Sequence, residues 1–217
     1  MMVNAISIDV EDYFHPSEVQ STAGPLDWDR LPSRVEESTG RCLDLLARHN
    51  VRGTFFVLGW VAERFPALVR SIASAGHEIA CHSYAHQLVY ELGREAFRAD
   101  TRRAVQTISD AAGIAPKGYR APSYSVTTRS LWALDVLAEL GFRYDSIIYP
   151  IRHDRYGIPG YARSAQPVQT SAGTLIEIPP ATVQLGKERT APVGGGGYLR
   201  LLPYAYTAAG IRRLNHV

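Results

Sequence analysis

The 217-residue chain has only two cysteines. Cys42 and Cys81 stand far from any C-x-x-C spacing, so the pair reads as buried small hydrophobes in a reducing compartment and not as a disulfide framework. Charge of one sign is also lacking. A net charge of +2, with no basic run interleaved with aromatics, excludes the usual footprint of nucleic-acid binding. No apolar run approaches the length of a membrane span, and the start, "MMVNAISIDVEDYF", meets two acids before any apolar leader region has built up. The expectation is a cytoplasmic chain with no transmembrane segment. Internal repeats are missing, and the only low-complexity tract is the glycine run 194–197.

What is present is a hydrophobic content of 46%, enough for one sizeable core, read as a single domain over 1–217. Short β-rich runs alternate with helical stretches. Strands are expected over 5–9, 53–59, 77–81, 118–121, 142–146 and 174–179. Helices are expected over 33–50, with Ser33 and Glu36 as a capping box, and over 60–75, 94–113 and 128–140, with a last one after 200. Strand following helix in this order implies an α/β fold with a mainly parallel sheet. Residues 147–174 break the pattern and read as a long irregular insertion, a kind of segment that is usually functional or disordered. Residues 194–217 read as a C-terminal extension.

Sites in such folds lie at the carboxyl ends of the strands. Four of these ends carry polar chemistry: Asp9, Glu11 and Asp12 in "DVED", His82 and His86 in "HSYAH", Arg120 and Tyr124 in "RAPSY", and Asp145 and Ser146 in "YDS". Singly, each has a structural explanation as a cap, a buried histidine or a surface guanidinium. Jointly, they exceed what packing requires. On a helical turn His82 and His86 would share one face. Two imidazoles and one carboxylate make a three-ligand set that leaves a position open for water, suited to zinc but also to cobalt, nickel or iron. Asp9 is placed to take a proton from that water, Arg120 to keep Asp9 ionised, and a backbone N–H near Ser123 or Tyr124 to receive an oxyanion.

With these residues in place, the chain resembles the polysaccharide deacetylases of carbohydrate esterase family four. "SIDVED" resembles the first motif, which implies Asp9 as catalytic base and Glu11 or Asp12 as the carboxylate ligand of one divalent metal. H-[ST]-x-x-H is matched by His82, Ser83 and His86. R-x-P-x-[YW] is matched by Arg120, Pro122 and Tyr124, and "YDSIIYP" is similar to the fourth motif, with Asp145 and Ser146 on the groove wall. The resemblance implies a distorted (β/α) barrel and a metal-dependent hydrolase that removes N-acetyl groups from N-acetylhexosamine residues of a carbohydrate substrate. "YPIRHDRYGIPGY" and "GGGGYLRLLPY" resemble the exosortase-associated branch, linked to bacterial exopolysaccharide synthesis, in which Arg152, His153, Asp154, Arg155 and Tyr156 lie in a characteristic loop.

The family's fifth motif, an apolar strand followed by an acid histidine, has no counterpart here. The expectation is therefore a C-terminally truncated domain, with His216 a helix-end residue. Two other readings stay open. One is an allantoinase-like hydrolase of a small C–N substrate. The other is an inactive carbohydrate-binding module with Tyr124, Tyr149, Tyr156 and Trp60 as stacking platforms.

Overall fold

The computed structural model describes residues 4–23, 26–186 and 189–216. Its centre is a sheet of seven strands in the order β1-β2-β3-β4-β5-β7-β6. These are β1 (Ser7–Val10), β2 (Thr54–Val57), β3 (Glu78–Cys81), β4 (Gly118–Tyr119), β5 (Tyr144–Asp145), β6 (Gln166–Thr170) and β7 (Gly173–Glu177). The pairs from β1 through β5 to β7 are parallel, and only β6–β7 is antiparallel. The α/β class expected from the alternation is present. The expected barrel is open, because β1 and β6 are sheet edges among the described residues. A separate hairpin pairs β8 (Thr182–Leu185) with β9 (Arg189–Pro192).

The helices are α1 (Ser17–Ala23), α2 (Val35–Arg48), α3 (Gly59–Arg64), α4 (Pro66–Ser74), α5 (Val89–Leu92), α6 (Arg94–Ala112), α7 (Trp132–Glu139), α8 (Gly196–Leu201) and α9 (Tyr204–Asn215). In α6 the buried residues Phe97, Thr101, Ala104, Ile108 and Ala111 recur every three or four positions, so one stripe faces the sheet. Gly113 ends that helix in the left-handed conformation, and its N–H donates to the Ser109 carbonyl. The stripe packs into a core that includes Phe55, Val57, Val61, Ile72, Ile79 and Leu137.

Three local expectations are corrected. The helix expected over 60–75 is two helices, because Pro66 cannot continue α3 but suits the first turn of α4. The insertion expected over 147–174 contains β6, whose Pro167 is tolerated because the strand lies at the sheet edge. The capping box of α2 does not form: Arg34 occupies the cap position without a side-chain bond, and the Ser33 hydroxyl donates to Asp12.

Parallel register brings the strand ends to one rim. Val10 lies opposite Val57, Val57 opposite Cys81, Cys81 opposite Tyr119, Tyr119 opposite Asp145, and Asp145 opposite Glu177. The residues that follow, Glu11, His82, Arg120 and Ser146, therefore emerge side by side. The start of α3 fixes one of these exits, since Gly59 N–H donates to the Ser83 carbonyl at 2.8 Å and Trp60 N–H to the Tyr84 carbonyl at 3.1 Å. A Cβ on Gly59 would meet the Tyr84 ring at 2.7 Å and the Ala104 backbone at 3.0 Å. Gly59→Ala is expected to destabilise the protein by about 1–3 kcal/mol, the usual range for overpacking. Urea unfolding checks this, and an unchanged midpoint would show that the loop does not seat against α3.

Candidate metal centre and active site

Glu11, His82 and His86 each present a donor atom, and these atoms lie within 4.8 Å of one another. Glu11 Oε2 is 2.8 Å from His86 Nε2 and 3.8 Å from His82 Nε2. Both imidazoles are buried, while Glu11 keeps partial access to solvent. The His82 tautomer follows from its partner: Nδ1–H donates to the Arg120 carbonyl at 2.9 Å, which leaves the Nε2 lone pair facing Glu11. Burial holds the His82 pKa below its ordinary value despite the opposing pull of Asp9 and Glu11. A neutral imidazole is the form a metal requires. The donor set thus fits a divalent transition metal.

"HSYAH" is not helical. Ser83 and His86 have φ of 61° and 51°, a left-handed conformation that costs free energy in residues other than glycine. The loop is held by Asp100 of α6, whose carboxylate accepts from Tyr84 N–H at 2.9 Å and Ala85 N–H at 3.1 Å. The Ser83 hydroxyl accepts from His86 N–H at 3.0 Å. The two rings meet edge to face, 5.3 Å apart, so convergence comes from a braced turn and not from an i, i+4 helix face.

Of the two carboxylates open from the sequence, the fold brings only Glu11 to the histidines. Asp12 is turned the other way and receives the N-terminus of α2, with Arg34 N–H donating to both its oxygens at 3.0 and 3.1 Å and the Ser33 hydroxyl donating as well. The expectation of Asp12 as a ligand is corrected on this ground. Its carboxylate caps a helix.

Asp9 stands beside the triad, and Arg120 Nη1 donates to its Oδ1 at 2.8 Å. Burial pushes the Asp9 pKa up, but Arg120 and the two histidines outweigh it, so the carboxyl is held below its ordinary value. Arg120 Nη2 donates to the hydroxyls of Ser7 at 2.9 Å and Ser146 at 3.1 Å, and its guanidinium lies over the Phe56 ring. Tyr124 follows on the same loop, and burial raises its phenol to about 12, so it stays protonated. The Tyr124 N–H donates to the Ala121 carbonyl at 3.1 Å, which leaves Ser123, at φ 48°, as the residue of that pair with an uncommitted backbone donor among the described bonds.

The sequence of residues 24–144 matches the family described as polysaccharide deacetylase. The chain belongs to the polysaccharide deacetylase family. Residues 146–217 match a domain of unknown function, DUF3473. A peptidoglycan-N-acetylglucosamine deacetylase of Bacillus cereus is 37% identical over 100 residues, covering 46% of this chain and 36% of that protein. A chitooligosaccharide deacetylase of Sinorhizobium fredii is 33% identical over 132 residues, covering 58% of this chain and 57% of that one. A crystal structure of a candidate polysaccharide deacetylase from Mycobacterium smegmatis aligns with a TM-score of 0.64 at 31% identity, over 81% of this chain and 57% of that chain. The chain covers less than two thirds of the length of each of these relatives.

The deacetylase match begins after β1. The parallel pairing of β1 with β2 brings Asp9 and Glu11 beside His82, His86 and Arg120, which lie within the matched residues. Two further expectations are corrected. Asp145 is fully buried and Ser146 nearly so. They support the groove from behind and do not wall it: Ser146 holds Arg120, and Asp145 faces Glu177 across the β5–β7 ladder. His216 caps the end of α9, as expected of a helix-end residue.

Sequence reasoning missed three contributors. Asp100 lies in the amphipathic pattern of α6 and gave no sign of reaching a loop 15 residues away. His15, fully buried, accepts from Asp12 N–H at 2.7 Å and packs edge-on against Trp28 and Trp60. That aromatic nest also withdraws Trp60 from the stacking role considered for it. Glu177 was legible in principle, because strand alternation puts it on the same buried face as Leu175.

Asp145 and Glu177 are both fully buried and face each other, and among the described residues no cation pairs with either. Two carboxyls so placed share a proton. Burial raises both, Asp145 to about 6 and Glu177 further. Their folded values exceed the unfolded ones, so the folded state binds more protons above about pH 4, the ordinary carboxyl range. Stability is then present at low pH and declines as pH rises through 6 and beyond. Glu177→Gln is expected to flatten that decline in thermal melts taken from pH 5 to 8, whereas an unaltered slope would exclude proton sharing.

Proposed function

We propose that the chain is the metal-binding and base-bearing part of a hydrolase that removes N-acetyl groups from amino-sugar residues of a polysaccharide or oligosaccharide. The observation that carries this reading is the juxtaposition of the Asp9–Arg120 pair with the Glu11, His82 and His86 donors, in a chain of the polysaccharide deacetylase family. Glu11, His82 and His86 would hold the metal, with zinc the best match to two imidazoles and a carboxylate. When bound, it supplies Lewis acidity toward the amide carbonyl and the attacking water.

The chain's own groups supply the base, its positioning and the oxyanion contact, and the proton that Asp9 takes up is returned to the amine as the C–N bond breaks. Asp9, ionised at neutral pH, takes a proton from the attacking water. Arg120 is a positioning residue that fixes one Asp9 oxygen and leaves the other for that water. Ser123 N–H donates to the oxyanion as it develops, and the protonated Tyr124 phenol is available to a sugar hydroxyl. The relatives named as peptidoglycan-N-acetylglucosamine and chitooligosaccharide deacetylases support an N-acetylglucosamine polymer as substrate class. The resemblance of the 149–161 stretch to the exosortase-associated branch supports a place in exopolysaccharide synthesis.

Asp9→Asn is expected to lower acetate release from chitooligosaccharides by about 10²–10⁴-fold while metal content is retained, the range a general base contributes. Near-normal turnover in that variant would contradict the mechanism. Elemental analysis should find about one zinc per chain in zinc-loaded protein and none in the His82→Ala, His86→Ala double variant. Equal zinc in both would move the metal elsewhere.

A further inference from the structure

A second group of side chains adjoins the site, and most of it comes from the segment matched only to a domain of unknown function. Tyr124 packs against Tyr149 with ring centres 5.1 Å apart and against Tyr156 at 6.4 Å. Tyr149 and Tyr156 are nearly parallel at 6.0 Å, and the Tyr149 ring meets Tyr198 edge-on. His153 lies flat on Tyr156, 3.8 Å away with 16° between the planes. At its inner end the cluster reaches the catalytic pair, since the Arg120 guanidinium stands 5.6 Å from the Tyr124 ring centre.

Burial accounts for Tyr149 but not for the other rings. None of Tyr124, Tyr149, Tyr156 and Tyr198 belongs to the main apolar core. Only Tyr149 is fully buried, and Tyr124, Tyr156 and Tyr198 keep partial access to solvent. Their hydroxyls are fixed: Tyr149 donates to the Gly194 carbonyl at 2.9 Å, and the Tyr156 and Tyr198 hydroxyls are 3.0 Å apart. The backbone is shaped for the purpose at two glycines. Gly157, at φ +89°, lets the loop close on itself, where a Cβ would strike the Ile151 carbonyl oxygen at 2.5 Å. Gly195, at φ +103°, lies within 3.3 Å of the Tyr198 ring and 3.7 Å of the Tyr149 hydroxyl by the same measure.

A fixed group of partly exposed aromatic rings, with the His153 ring as its outermost layer, is suited to the apolar C–H face of a pyranose ring. We infer that the His153, Tyr156 and Tyr198 cluster is a second sugar subsite, binding the residue next to the one whose acetamide faces Asp9. The argument for that occupant is continuity: Tyr124 lies between the Arg120 guanidinium and the cluster, so a chain lying along the site meets these rings next. The role of the DUF3473 segment is then to make the site prefer oligomers over a single sugar. This assignment rests on the deacetylase reading for the identity of the first subsite.

The test is calorimetric titration of the zinc-loaded chain with N-acetylglucosamine and with its β-1,4-linked tetramer, alongside acetate-release assays on both. The wild type is expected to bind the tetramer more tightly than the monomer. His153→Ala and Tyr156→Ala are each expected to weaken tetramer binding by about five- to tenfold, the effect of one lost ring contact, with monomer binding unchanged. His153 lies on a surface loop outside the apolar core, so its removal leaves the fold intact if Tyr156→Ala does not. Equal affinity of the wild type for monomer and tetramer, or tetramer affinity unaltered in His153→Ala, would overturn the subsite. Length-dependent binding lost in the variants, but with no acetate released by the wild type, would overturn the deacetylase reading and leave the subsite standing.

Discussion

The arrangement depends on Arg120. Its guanidinium fixes Asp9 and joins it to Ser7 and Ser146, while its backbone carbonyl receives the Nδ1–H of His82. One residue therefore sets the ionisation of Asp9 and the tautomer of His82. Its position is dictated by the sheet: β4 is only two residues long, yet its pairing with β3 and β5 puts Arg120 between the exits that carry His82 and Ser146. A nearly buried guanidinium is tolerable only with its partners in place, because an unpaired charge at such depth is costly. The fold, the base and the metal-facing imidazole are thus coupled through a single side chain and its own peptide.

Around that node, carboxylates that look alike in sequence are divided by environment into different tasks. Asp9 is kept ionised by a cation. Glu11 turns to the imidazoles, and Asp12, one residue on, satisfies the N-terminus of α2. Asp100 braces the left-handed turn of "HSYAH", and Asp145 with Glu177 forms a protonated pair behind the rim. Tight turns force successive side chains in opposite directions, and each then meets the partner the adjacent element offers. The left-handed residues Ser83, His86 and Ser123 fall in the loops that lead off the sheet at this rim, and the first two lie in the turn that Asp100 braces.

The strands, the helices that follow them and the four polar strand ends were legible because apolar periodicity and parallel topology are local signals with a known spatial consequence. What escaped is what depends on distant partners. Glu11 and Asp12 could not be told apart, because the choice turns on where α2 begins, and α2 begins where Ser33 and Arg34 find Asp12. The helical reading of "HSYAH" failed because i, i+4 spacing serves a braced turn equally well when Asp100 is near. Edge strand β6 was hidden by Pro167, which removes a central strand from consideration but not an edge one. Asp145 and Ser146 were expected on the groove wall, yet Ser146 stands behind Arg120 and Asp145 against Glu177, because β7 pairs with β5, which no motif records.

The central claim is that one metal lies between Glu11, His82 and His86, with Asp9 and Arg120 beside it and Asp12 apart. A crystal of the zinc-loaded protein, measured on either side of the zinc absorption edge, tests it directly. The account predicts a single anomalous peak at about 2.0–2.2 Å from one oxygen of Glu11 and from both Nε2 atoms, the distances of zinc to oxygen and nitrogen ligands. A peak bound by Asp12, or none at these three residues in protein shown to contain zinc, would contradict it.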